Sequence, residues 1–467
     1  MEILDTLIER ELNEIRASSQ PVIAHGLTVL IKANGKEVKA LYVNSLTLSR
    51  LYTQNFADEL IVEASFITGD YEQDVVPYRD QLEVTLIKTP YSPNTLGGID
   101  NTKNISSNTY KAQILDGGKS ATVQGDSPLA VNKGAANKFS ISEVKLQLFN
   151  PVIDSIRKVT FGTVFRKTSA ADAIKWVLTK VARPANADNA VNVKGVQVLK
   201  DILGDKREHI VVKDDTPVIE VPMAIHSNVG GIYPTGFHYY LQNRIWYIYP
   251  LYDYEMFGKT ARSLTVIKIP ANRMPTVERT YRWTNTQVVS LTTKETKHYD
   301  VSESEQLNDG NGTRFLDAEQ VMNLYEVGGN RAIAKARDSV SEVIADPRGD
   351  KSNMVTQGRA TITDKYNIEY SELARKAGSV IQTIWENANA ELLFPGMPVR
   401  YIFMDGKVAK EMYGVLHAVE TIEYATTINA AERRFQTNAL LTLFVQRVTP
   451  LKEPNRTGVS SSHLVNR

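Results

Sequence analysis

Gly236–Pro250 reads GFHYYLQNRIWYIYP, and six of its fifteen residues are Phe, Tyr or Trp in a chain that is 8% aromatic overall. The polar break Gln242-Asn243-Arg244 between two apolar-aromatic runs predicts a β-hairpin. Side chains alternate across a strand, so Phe237, Tyr239 and Leu241 share one face, with His238 and Tyr240 on the other. In the return strand Trp246 and Ile248 oppose Ile245, Tyr247 and Tyr249. Rings on both faces predict a hairpin covered on both sides. A sugar platform keeps one wet aromatic face, and a membrane belt needs adjoining apolar spans. Phe237, Tyr239, Tyr240, Trp246, Tyr247 and Tyr249 are therefore read as packing residues, within a domain core or at a subunit seam.

Around this hairpin lies a chain of 467 residues, too long for one ordinary core, so two to four domains of roughly 100–200 residues are expected. Lys plus Arg total 54 against 53 for Asp plus Glu, a net charge of +1 that supplies no global field for nucleic acid or anionic lipid. The absence of cysteine excludes a disulfide framework, a thiolate nucleophile and a Cys-based metal site. No segment approaches the ~20 continuous apolar residues of a membrane span. The expectation is a soluble, unexported chain.

Upstream, Ile3, Leu4, Leu7, Ile8, Leu12 and Ile15 recur at helical spacing, predicting an amphipathic helix whose stripe packs on its own domain or on another subunit. Two apolar runs then flank Asn34-Gly35, a dipeptide suited to a tight hairpin turn. Alternation in DELIVEASFIT and QLEVTLIKT predicts further strands, and an antiparallel sandwich or barrel follows. Residues 91–138 are rich in Ser, Asn, Gly and Lys, which predicts a long insertion dispensable for folding but needed for assembly. FSISEVKLQLF restores the strand pattern. In TSAADAIKWVLTKV, Ser169 caps a helix that presents Ala170, Ile174, Val177, Leu178 and Val181 on one face.

Downstream of the aromatic hairpin, ERTYRWTNTQVVSLTTKE reads as strand, 301–350 as a long loop, and SELARKAGSVIQTIWENANA as a helix with Leu373, Ala377, Val380, Ile381 and Ile384 in its stripe. Strands then run around an Asp405-Gly406 turn, before a polar tail after Pro450.

Chemistry-bearing patterns are sparse. The seven histidines are scattered, without HExxH or a local metal-binding pair. His417 lies near Glu420 and Glu423, but a strand turns Glu420 to the opposite face and leaves Glu423 distant, a poor acid–base dyad. No phosphate-cradling loop or nucleophile elbow appears; the glycine pairs in NVGGIYPTG and EVGGNRA read as turns. No catalytic, cofactor or metal residue is assigned.

Three segments in order carry a likeness. LIVEASFITGDYEQDVVPYRDQLEVTLIKTP resembles the first tube-like domain of baseplate hub proteins of contractile-tailed bacteriophages. TSAADAIKWVLTKV followed by GGIYPTGFHYYLQNRIWYIYPLYD resembles the hub insert, and LLFPGMPVRYIF, GVLHAVETIEY and LLTLFV resemble the second tube-like domain. The amino-terminal part of type VI secretion spike proteins shares this fold. The resemblance implies an α+β, β-rich chain: an amino-terminal helix (1–20), a first tube-like antiparallel barrel or sandwich (21–158), a mixed α/β hub insert (159–275), a second tube-like domain (276–449) and a tail (450–467). It further implies a homotrimeric structural virion protein in the tail baseplate, made in the host cytoplasm, joining a sixfold tail tube to a threefold central spike. Its partners would be itself, a separate spike protein, the tail tube protein and neighbouring baseplate proteins, with DNA only in transit through the lumen. A carbohydrate-binding adhesin using exposed rings, and a tail-associated cell-wall hydrolase using unrecognised carboxylates, are the alternatives.

Overall fold

Asn34 and Gly35 adopt φ of 46° and 81°, the two successive positive values of a tight hairpin turn, and join β1 (His25–Ala33) to β2 (Lys36–Lys39). The structure is a computed structural model that describes residues 2–17, 24–90, 106–120, 141–182, 193–202, 206–229, 231–273, 279–293, 297–300, 313–317, 341–345, 371, 374–375, 377–406, 408–425 and 433–451. Beyond β2 come β3 (Tyr42–Leu51), β4 (Glu59–Ile67), β5 (Leu82–Pro90), β6 (Ser106–Ser120) and β7 (Ile141–Phe149), side by side in the order β3-β4-β7-β6-β5-β1. Their period-two pattern sends Leu60, Val62, Ala64 and Phe66 of β4 inward, where they meet Val29, Ile31, Val84, Leu146 and Leu148 in a first core.

One expectation fails here. Ser106–Ser120, read from sequence as part of a polar insertion, is a strand paired on both sides, with β5 and with β7. Tyr110, Ala112 and Ile114 alternate through its polar text and pack against the first core, a pattern that average composition hides. The rest of 91–138 lies outside the described residues.

The middle of the chain builds another core from short elements. Asn150 Oδ1 accepts from Val152 N (2.9 Å) to start helix Pro151–Arg157, and Ser169 Oγ accepts from Asp172 N (3.1 Å) to start helix Ala170–Trp176, which continues helically to Val181. β8 (Thr163–Thr168) pairs with β10 (Arg207–Val212), and β9 (Gly195–Val198) runs parallel to β12 (Ile245–Pro250), itself the hairpin partner of β11 (Phe237–Gln242). Ile174, Val177, Val218, Ile225, Phe237, Tyr239, Trp246 and Ile248 converge in this third core.

The remaining strands are β13 (Ser263–Lys268), β14 (Tyr281–Trp283), β15 (Gln287–Thr292), β16 (Lys297–Asp300), β17 (Thr313–Asp317), β18 (Ser341–Ala345), β19 (Ser379–Trp385), β20 (Pro398–Asp405), β21 (Val408–Ala425) and β22 (Phe435–Pro450). β17 and β18, within the stretch read as a long loop, pair in parallel; the remainder of 301–350 lies outside the described residues. β13 also runs parallel to its neighbours β15 and β20, so the large sheet is mixed rather than purely antiparallel. The reason is topological: β13 reaches β20 from about 130 residues away in sequence, not through a hairpin, so nothing forces the strands to reverse.

Ser379–Trp385, read as part of a helix, is a strand between β16 and β22. Ile381, Thr383 and Trp385 point inward with period two, and the β-branched run Val380-Ile381 and Thr383-Ile384 favours extended backbone over the helical stripe that the same residues also satisfy.

β21 and β22 bind the sheet together. The carboxy-terminal half of β21 pairs with β3, its amino-terminal half with β20, and β22 pairs with β21, β19 and, at His25↔Phe435, with β1. Pairing around the first core thus returns to its start, β21-β3-β4-β7-β6-β5-β1-β22, closed among the described residues by one residue pair. Register shifts at Glu411/Tyr413 and Leu416/Ala418 bend β21 from one core to the other. Gly414 sits between them, where an added Cβ would lie 1.7 Å from Phe444 O, so only glycine fits the approach of β22. Leu264, Val266, Tyr401, Leu416, Val419, Leu441 and Leu443 form the second core.

The amino-terminal helix α1 (Glu2–Ala17) lies on this chain's own sheet, burying Leu4, Ile8, Leu12 and Ile15 against Ile267, Val289, Leu291 and Ile402. Arg282 anchors it by ion pairs to Glu11 (2.7 Å) and Glu14 (2.8 Å). Among the described residues no helix is long and apolar enough to cross a membrane.

Deleting Ser106–Ser120 removes a strand that is paired on both edges, and the cooperative melting transition of the full chain should disappear with it. Wild-type melting of the deletion variant, followed by circular dichroism, would contradict the placement of β6.

Candidate functional site

The aromatic hairpin stands between two cores. Its turn is Asn243-Arg244, with φ of 51° and 67°, and Gln242, which looks like loop in the sequence, is the last residue of β11. Phe237, Tyr239 and Trp246 enter the third core, whereas Tyr240 and Tyr249 enter the second. Tyr247 is partly buried and stacks on Phe394 at 5.9 Å. Tyr239 and Tyr249 use their hydroxyls as well as their rings, donating to Ile219 O and to Tyr52 O (2.6 Å). Gly396, at φ 70°, lies so near the Tyr249 ring that an added Cβ would sit 2.5 Å from it.

Beside the hairpin is a polar node that the sequence reading missed. Arg50, at the end of β3, is 2% exposed; its Nε donates to Asp58 Oδ2 (3.1 Å), Nη1 to Ala390 O (2.9 Å) and Nη2 to Glu391 Oε1 (3.3 Å). Tyr240 donates to the other oxygen of Asp58 (3.1 Å), Tyr52 donates to Gln242 Oε1 (3.0 Å), and Gln242 Nε2 donates to Leu393 O (2.8 Å). One network therefore ties β3, the loop after it, the hairpin and the segment before β20. Burial works against the charge on Arg50, but Asp58 and Glu391 outweigh it and hold the guanidinium well above its ordinary pKa. Burial raises the Asp58 pKa despite Arg50, while Arg50 lowers that of Glu391. Glu391 is more than half exposed, so water screens its share of the attraction and Asp58 is the dominant partner.

A second buried cluster sits where β1 meets β22. His25 Nε2 donates to Glu423 Oε2 (2.8 Å), and Lys88 Nζ binds Glu423 Oε1. Burial would raise the Glu423 pKa, but Lys88 and His25 outweigh it and hold the carboxyl at about 2. Arg50 and Lys88 border an open cavity of about 520 Å³ floored by Leu46, Leu48, Leu60 and Leu86. Arg50 is engaged with Asp58 and Glu391 and Lys88 with Glu423, so these charges hold the fold together across strand ends.

His417 has no acid–base partner in Glu420 or Glu423. It sits at a β-bulge, its Nε2 bonds Leu251 O (2.8 Å), and its ring stacks on Phe444 at 5.2 Å. Glu420 is exposed, and Glu423 is occupied by His25 and Lys88. Among the described residues no group of three or more His, Asp or Glu is placed to hold a metal. The missed residues did leave a signal: Arg50 continues the inward register of Leu46 and Leu48, and Lys88 that of Val84 and Leu86, charges at positions where alternation calls for core.

No protein-family model matches the chain, and no curated protein matches it. Among solved structures it is similar to a tail protein from Neisseria meningitidis MC58, at 12% identity and a TM-score of 0.46, over 90% of this chain and 96% of that one. It is similar to the 43 kDa tail protein of prophage MuSo2 from Shewanella oneidensis, at 10% identity and a TM-score of 0.43, over 89% and 96%. It is also similar to an E. coli component of the type VI secretion system, at 9% identity and a TM-score of 0.38, over 91% and 77%.

Burial lowers the pKa of His226, His238 and His417 to about 4 each; His238 lies in the hairpin, His226 stacks on its Phe237, and His417 bonds the residue that follows it. Folded-state values below the unfolded value mean that the unfolded chain binds protons first. Stability should be full above pH ~6.5 and fall between pH ~6.5 and ~4, each histidine contributing a slope of up to about 1.4 kcal/mol per pH unit. Glu423 adds a further loss between pH ~4.5 and ~2. Melting temperatures across this range should show the decline and a shallower slope in His238→Gln; a flat profile from pH 6.5 to 4 would contradict the burial of these rings.

Proposed function

We propose that this chain is a structural tail protein, the trimeric baseplate hub that joins a sixfold tail tube to a threefold central spike and lines the channel through which DNA passes. The observation that carries the reading is the arrangement of two β cores in one chain around the shared strands β21 and β22. Three copies of a chain with two such cores present six β modules around an axis while keeping threefold symmetry, which is what a sixfold-to-threefold adaptor requires. The ordered likeness of the three sequence segments to hub proteins supports the same reading.

In this account the first core is the first tube-like domain, the second core the second, and the third core the hub insert. The hairpin rings Phe237, Tyr239, Tyr240, Trp246, Tyr247 and Tyr249 pack these modules on one another within each subunit. The partners are two further copies, a spike protein, the tail tube and neighbouring baseplate proteins, and the location is the virion tail. No catalytic step is assigned.

Native mass spectrometry of the chain, alone and mixed with a candidate spike protein, should give a trimer in at least one of the two conditions. A closed dimer or a sixfold ring would contradict the hub.

A further inference from the structure

The ribbon of β8 and β10 stands apart from the large sheet, and its two edges differ. On the β10 side, Asn228 Nδ2 donates to Val211 O and Arg207 Nη2 to Val229 O (3.2 Å), so the end of helix Val221–Asn228 covers that edge. On the other side β8 has no strand neighbour: among the described residues it pairs only with β10. Phe161 N donating to Thr216 O (2.8 Å) and Val218 N to Val159 O (2.9 Å) extend the ribbon back to Val159. An open strand edge offers a row of backbone donors and acceptors to any extended chain.

The side chains along this edge restrict which chain that is. Ser155–Thr168 contains four cations, Arg157, Lys158, Arg166 and Lys167, and no carboxylate. All four are exposed, and none forms an ion pair among the described residues. Cations on an edge strand ordinarily discourage pairing, and here Arg166 and Lys167 do so for a second copy, whose identical edge would set like charges together. An edge meant only to repel has no need of apolar surface. Yet Val159 and Val164 are 48% and 47% exposed, and Val164 shares the exposed face of the strand with Arg166, while Phe165 packs on Trp176 and Lys167, at φ 51°, ends the extended run. The complementary strand carries an apolar residue and a carboxylate on the face that meets Val164 and Arg166.

We propose that the β8 edge is a docking site for an acidic, extended polypeptide segment of a partner protein, which adds to the ribbon as a third strand. Backbone bonds to β8 supply the pairing, Val159 and Val164 the apolar contact, and Arg157, Lys158, Arg166 and Lys167 the selection for carboxylates. The inference stands on the ribbon's geometry and is independent of the hub reading.

The probe is the fluorescent octapeptide Val-Val-Glu-Glu-Val-Val-Glu-Glu, titrated into the full chain and read by anisotropy and by amide exchange. Saturable binding at roughly 0.02 M salt should weaken by about tenfold or more at roughly 0.3 M, because exposed charges are screened over that range. Amides of 163–168 should gain protection in the complex. The double variant R166E/K167E should lose at least about tenfold in affinity. The same peptide with proline at alternate positions should not bind, since it cannot supply the ladder. Absence of saturable binding, binding without protection of 163–168, or equal binding of the proline peptide would overturn the proposal. So would tighter binding of an oligothymidylate of equal charge, which would make the surface a nucleic-acid contact.

Discussion

A guanidinium withdrawn from water sets the terms for the rest of this molecule. Arg50 lies where the first core, the second core and the aromatic hairpin meet, and its three acceptors come from the loop after β3 and from the segment before β20. A buried charge is tolerated only when its hydrogen bonds are met, so these segments must be in place together. Asp58 passes the constraint on: its second oxygen takes the Tyr240 hydroxyl, which fixes the hairpin face that enters the second core. Such a node adds little net stability compared with a well-packed apolar substitute, but it penalises every arrangement in which one partner is missing.

The shared strands impose a second condition. β21 and β22 each serve two cores, so neither β module is complete until the carboxy-terminal part of the chain has arrived. Among the described residues the first core's ring is closed at one residue pair, His25↔Phe435, and the buried His25–Glu423–Lys88 cluster reinforces that seam with charge. Pairing partners several hundred residues apart make this a high-contact-order topology, for which slow folding is the general expectation.

Much of this was legible in the sequence where periodicity is strong and local. The two-faced character of Phe237–Pro250 followed from alternation alone, and the caps at Ser169 and the turn at Asn34-Gly35 followed from residue chemistry. What sequence missed was decided by distant partners. β6 is polar in composition and became a strand because β5 and β7 flank it; Ser379–Trp385 satisfied a helical stripe and became a strand because β22 offers a ladder. Gln242 looked like loop, yet its amide is buried between Tyr52 and Leu393 O. Arg50 and Lys88 were readable only as violations of an inward register; Asp58 lies eight residues from Arg50, but Glu391 and Glu423 lie more than 300 residues from the cations they bind.

The central claim is that the three cores are coupled through the Arg50 node and not merely adjacent. Native-state amide exchange in the wild type and in Arg50→Met tests it directly. Val62 of the first core, Leu441 of the second and Tyr239 of the third should open with one common free energy in the wild type. The variant, which strands the Asp58 carboxylate, should lose about 3–5 kcal/mol and separate the three. Three distinct opening energies already present in the wild type, unchanged by the substitution, would contradict the account.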